Sequence, residues 1–433
     1  MSAPSAVADR PAGPPRATRL QRWRDAGFGL LVLASVAATY WGTIGSTVAT
    51  ASVVGVATAW AMQARLALGR WRAAGLVATS AVLLYLLGAG PRLSGVALVT
   101  GLVGAEVTAR CTRRSAVLRA GGWTGAAAAA ASLASPLVRA PASAAAALGD
   151  ALGAGIGAAL GAPVVLILGP VAEWVFGHTT RLTMSEWLNY DHPLLRDLAS
   201  KAPGTFQHSV NVGVLADAAA GAIGGDALVA HVGGLYHDVG KIEAPEYFSE
   251  NQSGANPHDR LDPWESARIL RAHVSDGVRL VRKHRMGDRI AAIVQEHHGT
   301  GVMSFFLTKA QALGLKGPVQ EAYRYDGPKP RSREAAIVMM ADQIEATARS
   351  AAPADPEACR TLVAEAVEHL RGEGQLDLAR LTDRDLTRIQ PALTRALQAM
   401  HHRRLAYPQA EAPPARRERA GLLGRIFRRG SDG

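Results

Sequence analysis

Cysteine is nearly missing from this chain: its 433 residues hold only Cys111 and Cys359, one in each half. Two distant thiols cannot build a disulfide framework or a thiolate zinc site, and they fit a reducing compartment. Charge is missing in a more local way. From Ala26 to Ala64 there is no charged residue, about twice the ~20 apolar residues needed to cross a bilayer. Alternation of period two is scarce and no internal repeat stands out, so a sheet protein and a solenoid are both disfavoured.

What is present divides the chain. Residues 1–25 are rich in Pro, Ala and Arg without apolar periodicity and read as a disordered basic tail, not a cleavable signal. The uncharged stretch turns at Gly42-Thr43-Ile44-Gly45-Ser46, which gives two spans. Further spans are expected over residues 73–90, 93–109, 120–138 and 151–172, six in all. Alanine-rich segments such as Ala126 to Ala131 suit close helix packing in lipid. Glu106 and Asp150 fall near span ends, where a charge is less costly.

Arginine sets the expected orientation, because basic residues beside spans are retained on the cytoplasmic side. Arg10, Arg16, Arg19, Arg22 and Arg24 precede the first span. Arg65, Arg70 and Arg72 follow the second, and Arg110, Arg113, Arg114 and Arg119 follow the fourth. The opposite loops carry only Arg92 and Arg139, and none is long enough for a sensor domain. Six crossings from an inside N-terminus return the C-terminal half to the cytoplasm. The net charge of +11 is concentrated in the tails and short loops, which fits a membrane surface better than a nucleic acid polymer.

After Phe176 the composition becomes that of a globular domain, helical almost throughout, and Trp174 and Trp187 are placed to meet the membrane interface. Apolar residues recur at helical spacing in Val210, Val214, Leu215 and Ala218, and again in Ile290, Ile293 and Val294. At the far end, Leu422, Leu423, Ile426 and Phe427 sit among arginines in a short basic amphipathic stretch suited to anionic lipid. The fold class is all-α: a polytopic transmembrane bundle followed by an all-helical domain.

Five histidines and two aspartates carry the chemistry: His208, His237, Asp238, His273, His297, His298 and Asp342. Each lies in or beside an expected helix, so an α-bundle can bring them together. Imidazole and carboxylate without thiolate point to Fe, Mn or Zn. Two such ions about 3.5–4 Å apart clamp the attacking and leaving oxygens of a phosphoryl displacement. In His237-Asp238-Val239-Gly240-Lys241, glycine permits a backbone turn and Lys241 offers a cation to a phosphate. Arg324, Tyr325 and Lys329 offer cations and an aromatic face to a nucleotide. His231, His258 and His284 read as structural or surface residues.

An ordered series of motifs surrounds these residues. It includes His192-Pro193-Leu194-Leu195, Ala202-Pro203-Gly204-Thr205, Glu250-Asn251-Gln252, Asn256-Pro257-His258-Asp259 and His273-Val274-Ser275-Asp276-Gly277. It continues through Gln295-Glu296-His297-His298-Gly299-Thr300, Tyr325-Asp326-Gly327-Pro328-Lys329-Pro330, Ala341-Asp342-Gln343-Ile344-Glu345-Ala346 and Gly374-Gln375-Leu376-Asp377. Over about residues 170–408 the chain resembles the PgpH-like seven-transmembrane HD family of membrane-anchored phosphodiesterases.

The resemblance implies hydrolysis of cyclic di-AMP to the linear dinucleotide at a pair of divalent ions, iron or manganese. It implies that His208, His237 and Asp342 hold one ion, that His273, His297 and His298 hold the other, and that Asp238 bridges them. Asp238 and Lys241 then serve catalysis, with Lys241, Arg324, Tyr325 and Lys329 toward the substrate, and an activated water attacks phosphorus. The expected segments are a tail over 1–25, a transmembrane domain over 26–177, an HD-type phosphohydrolase domain with a helical extension over 178–408, and a basic tail over 409–433. The expected setting is the cell inner membrane, with membrane lipid as a further partner, and the resemblance is compatible with a homodimer. Family members commonly carry a large extracytoplasmic domain after a first span, whereas here the tail leads straight into the spans. A different HD phosphohydrolase activity, or a receptor that binds nucleotide without turnover, stays open on sequence alone.

Overall fold

The structure is a computed structural model that describes residues 19–44, 49–109, 111–134, 143–314, 320–353 and 355–405. Arg10, Arg16, Arg110 and Arg139, used above for the orientation, and the segment 409–433 lie outside the described residues. Among the described residues, six α-helices form the apolar half: α1 (Arg19–Thr43), α2 (Ala49–Leu68), α3 (Arg70–Leu84), α4 (Gly90–Thr108), α5 (Arg114–Ala134) and α6 (Ala144–Phe176). Helix α1 takes in residues 19–25, which the sequence reading assigned to a disordered tail. The difference has a cause: Asp25 is fixed by His178 at 2.9 Å and by Arg72 at 2.5 Å, which ties this turn to the end of α6 and to α3.

Among the described residues, four stretches are long and apolar enough to cross a membrane: Gln21–Thr43, Ala49–Leu68, Arg70–Thr108 and Ala144–Phe176. The third contains α3 and α4 joined by a π-helical turn over Tyr85–Ala89, and it is not one straight rod. Gly101 packs on Val77, a residue that a straight helix would hold about 36 Å away. The reversal is at Gly88, whose φ of 93° is open to glycine and strained for other residues.

Residue size is sorted in the opposite sense to a water-soluble bundle. On α6, Ala151, Ala154, Ala158 and Ala162 are buried, while Leu152, Ile156, Leu160, Ile167 and Val171 point outward and are exposed. Small residues let α6 approach α2 closely, and an apolar outer face of this extent is unsuited to water. The apolar half is a membrane anchor.

The second half comprises α7 (Arg181–Glu186), α8 (Pro193–Lys201), α9 (Pro203–Ala222), α10 (Ala227–Tyr236), α11 (Pro263–Lys283), α12 (Gly287–Glu296), α13 (Ser304–Ala312), α14 (Arg333–Ala351), α15 (Pro356–Gly372) and α16 (Asp383–Leu405). The described residues contain no strand, only an isolated bridge between Val302 and Arg324. Helix starts follow capping chemistry. Asp226, Asp262, Ser332 and Asp355 each accept a backbone N–H of the first turn, and proline opens α8, α9, α11 and α15.

Helix α10 is the buried axis: Val229, Val232, Leu235 and Tyr236 are enclosed, and α9, α12 and α14 pack around it. Trp174 is exposed, as a membrane-facing residue would be, but Trp187 is 7% exposed and belongs to this core. The expectation that Trp187 sits at the membrane interface is therefore corrected. Its carbonyl accepts the Tyr236 hydroxyl at 2.9 Å, which pins the start of the domain to the end of α10.

Candidate metal centre

Two buried helices end on the residues that matter. Helix α10 stops at Tyr236 with His237 as its C-cap, and α12 stops at Glu296 with His297 as its C-cap. The last carbonyls of a helix lack intrahelical partners. Here they accept the imidazoles: His237 Nδ1–H donates to Gly234 O and His297 Nδ1–H to Val294 O, both at 2.7 Å. His273 does the same to Leu270 O within α11. In each ring the proton is held on Nδ1, which leaves the Nε2 lone pair aimed inward.

Those lone pairs converge on Asp238. Its Oδ2 lies 3.2 Å from His237 Nε2 and 3.6 Å from His208 Nε2, while its Oδ1 lies 3.3 Å from His273 Nε2 and 3.6 Å from His297 Nε2. Asp342 closes the first side, with Oδ1 3.1 Å from His208 Nε2 and 3.7 Å from His237 Nε2. His298 Nδ1 is 3.8 Å from the other Asp342 oxygen. All seven sequence-predicted residues are thus brought together, in two groups whose donor atoms lie within 4.8 Å of one another: Asp238, His273, His297 and His298, and His208, His237 and Asp342.

The residues fit a divalent cation. Two ligands about 2.1 Å from one ion stand roughly 3 Å apart, which is the spacing found. His273 Nε2 and His297 Nε2 face each other at 3.3 Å with both Nδ1 atoms already donating. Two bare lone pairs at that distance repel unless a cation lies beside them. His237 Nε2 and Asp238 Oδ1 are buried without a hydrogen-bond partner, a costly state in an apolar interior that coordination relieves.

Electrostatics differ across the cluster. Burial keeps His297 below its ordinary pKa, and it depresses His298 further with help from the neighbouring His297. Burial opposes charge on His237 too, but Asp238 and Asp342 outweigh it and push the pKa up to about 10. His208 is likewise raised, against its burial, by Asp342 and Glu345. Asp238 stays ionised well below the usual carboxylate range despite burial, because His237 and Lys241 stand beside it. In the metal-free protein below about pH 10 His237 therefore carries a second proton, on Nε2 beside Asp238, in addition to the one Nδ1 donates, and a cation must displace it before that lone pair is free. Loading the stripped protein with Mn2+ at pH 8 is expected to release protons. Calorimetry in buffers of different ionisation enthalpy reads the number, and a value of zero would contradict this charge arrangement.

Gly240 has a different role from the turn expected of it. Its φ is not positive; the constraint is space, since a Cβ there would stand 1.9 Å from His273 O and 2.6 Å from Gly277 N. The short 3₁₀ segment after Asp238 is pressed directly on α11, and that contact sets His273 against Asp238.

The cluster opens into a cavity of about 370 Å³ lined by Lys241, His273, Tyr325, Asp342, Arg349 and Gln375 among others. Lys241 lies at its edge, with Nζ 2.7 Å from both Asp238 Oδ2 and Glu250 Oε1 and over the Phe248 ring. Tyr325 stacks on His298 at 4.1 Å and separates this cavity from a second cleft carrying Arg268, Arg271 and Arg282. Arg324 and Lys329 do not line the metal-cluster cavity: Arg324 donates to Thr300 O at 2.9 Å and Lys329 to Gly374 O at 2.8 Å. His258 is buried under α13, with Nε2 3.0 Å from Tyr247 O, and His231 faces Asp217.

Sequence reasoning did not single out Glu345, Glu250 or Arg349. Glu345 and Arg349 follow Asp342 by three and seven positions, the spacing that puts residues on one helix face, and that periodicity was the available signal.

The class follows from this geometry and from comparison. Residues 205–347 match the HD domain family, so the chain carries an HD domain. Its relatives include the cyclic-di-AMP phosphodiesterase PgpH of Bacillus subtilis, 40% identical over 249 residues, and that of Listeria monocytogenes, 37% identical over 241 residues. These matches cover 57% and 55% of this chain but 35% and 33% of the relatives. The chain thus spans about a third of the length of the curated relatives it matches. A crystal structure of the L. monocytogenes PgpH HD domain in complex with cyclic-di-AMP shares 36% identity, with a TM-score of 0.47, covering 49% of this chain and 99% of that one.

Proposed function

We propose that this chain is a membrane-anchored, metal-dependent phosphodiesterase that hydrolyses a cyclic dinucleotide, cyclic di-AMP to linear pApA, at two iron or manganese ions. One observation carries the reading: the two oxygens of Asp238 face different donor groups, Oδ2 toward His208 and His237 and Oδ1 toward His273 and His297. A carboxylate so placed is suited to bridging. The names of the PgpH relatives support the choice of substrate.

When bound, a pair of divalent ions supplies positive charge to the phosphate oxygens and lowers the pKa of a water at neutral pH. The protein's own part is orientation and charge. Three helix carbonyls hold the imidazoles with Nε2 inward, Lys241 and His237 keep Asp238 ionised, and Tyr325 presents a stacking face for a purine. Arg349 stands on the cavity wall as a cation for a phosphate.

In this reading the segments 1–18, 19–177, 178–408 and 409–433 are tail, membrane domain, catalytic domain and tail. Both termini and the catalytic site lie in the cytoplasm of a multi-pass protein of the inner membrane. The arginine asymmetry predicts that a single cysteine at position 92, with Cys111 and Cys359 replaced by serine, is labelled by an impermeant maleimide in intact cells. Labelling only after permeabilisation would overturn the orientation.

The activity is tested with the full chain in detergent, Mn2+ or Fe2+, a panel of cyclic and linear nucleotides, and product chromatography. Conversion of cyclic di-AMP to pApA, abolished by chelator and restored by metal, is the expected result. Turnover of another nucleotide alone would redirect the substrate, and binding without turnover would make the chain a receptor.

A further inference from the structure

Among the inward-facing imidazoles, His208 has an unusual partner. His237, His273 and His297 each give Nδ1–H to a neutral carbonyl of their own helix. His208 instead gives it to a carboxylate from another helix, Glu345 Oε2 at 2.5 Å. Glu345 is itself buried and held: Asn211 Nδ2, on the same α9 as His208, donates to its other oxygen at 3.0 Å. A full negative charge behind an imidazole fixes the ring and raises the donor strength of its Nε2 more than a carbonyl dipole does.

The consequence is an inequality between the two donor groups. One contains Asp342 and is backed by Glu345; the other, apart from Asp238, contains three imidazoles. Lys241 sits on the Asp238 oxygen that faces the first group, but Glu250 matches its charge at the same distance of 2.7 Å. Arg349, 4.0 Å from Glu250 Oε2, is a second cation there, so Lys241 and Arg349 together offset Glu250 and Glu345, and the excess left to the first group is the carboxylate of Asp342.

We propose that Glu345 is a positioning residue for His208, and that through it the His208–His237–Asp342 group is the tighter of the two cation positions and fills first. The inference rests on the dimetal reading above and adds to it an order of binding and the residue responsible.

The test is equilibrium binding of Mn2+ to the metal-stripped full chain, with free Mn2+ read by electron paramagnetic resonance. The wild type is expected to show two affinity classes. Glu345→Gln keeps the shape and an acceptor but removes the charge; it should weaken the tighter class about 10- to 100-fold and leave the weaker class unchanged. Asn211→Ala, which frees the far oxygen, should weaken the same class by a smaller factor and guards against a folding artefact in the first variant. His208→Ala should abolish the class that Glu345→Gln weakens, and adding Glu345→Gln to it should change nothing further. Two wild-type classes with Glu345→Gln touching neither, both, or the one lost in His273→Ala would overturn the assignment alone. Fewer than two ions on the wild type would overturn the dimetal reading and this inference with it.

Discussion

Replacing Asp238 by alanine is expected to abolish turnover while the domain stays folded. The carboxylate is 1% exposed and faces both donor groups, so in the proposed dimetal site its loss removes a ligand from each at once. A terminal ligand is different. His273→Ala takes a donor from one group only, and high metal concentration should partly restore it. Asp238→Ala should resist such rescue and bind fewer than two metals per chain. Its turnover should fall by at least ~10² to 10⁴, the usual cost of losing a catalytic element. Asp238→Asn keeps the outline but not the charge, and should behave similarly. It also leaves Lys241 with Glu250, and His237 with Asp342, as the remaining anionic neighbour. Elemental analysis and turnover on one preparation decide; near-normal turnover with two metals bound would place the chemistry elsewhere.

The second large effect is expected at a residue that cannot bind anything. Gly240→Ala drives a methyl group to within 1.9 Å of His273 O, and the obstacle is backbone on a buried helix, not a side chain that can swing aside. Either the 3₁₀ segment or α11 must move. The variant should lose about 1–3 kcal/mol of stability, typical of overpacking, and should retain metal poorly because His273 is displaced from Asp238. Gly221→Ala is the control: nothing lies within 4 Å of the added carbon near the end of α9. There alanine should be neutral or stabilising by up to about 1 kcal/mol. Chemical denaturation of both variants tests the pair, and equal stability would mean that the close approach at Gly240 is not rigid.

The same residues show what a sequence can and cannot reveal. The set His208, His237, Asp238, His273, His297, His298 and Asp342 was legible because histidine and aspartate are conspicuous in an apolar helical context and fall in ordered motifs. Glu345 was not, because a glutamate three residues beyond a candidate ligand is ordinary on a helix. Its role depends on how α14 is rotated against α9, and spacing along one helix does not contain that angle. Lys241 was marked for a phosphate, yet Asp238 and Glu250 already hold its ammonium. That contact crosses two short 3₁₀ turns whose path no periodicity describes.

The apolar half repeats the lesson. Of the turn expected over Gly42-Thr43-Ile44-Gly45-Ser46, Gly42 and Thr43 belong to α1 and Gly45 and Ser46 lie outside the described residues, while α2 begins at Ala49. The start of α6 lies at Ala144, before the expected Ala151, because Ser143 caps it by accepting Ala146 N–H. The expected span began directly after the charged Asp150, whereas a helix begins where its first amides find an acceptor. Trp187 was misplaced for a related reason: an aromatic residue just beyond a membrane helix suits an interface by type, but here its carbonyl and ring are taken up by α10 and the core.

The most direct test of the central claim is anomalous X-ray scattering from crystals of the protein loaded with Mn2+. The account predicts two peaks about 3.5–4 Å apart, one beside His208, His237 and Asp342, the other beside His273, His297 and His298, with the Asp238 carboxylate between them. A single peak, or two peaks that do not share Asp238, would contradict it.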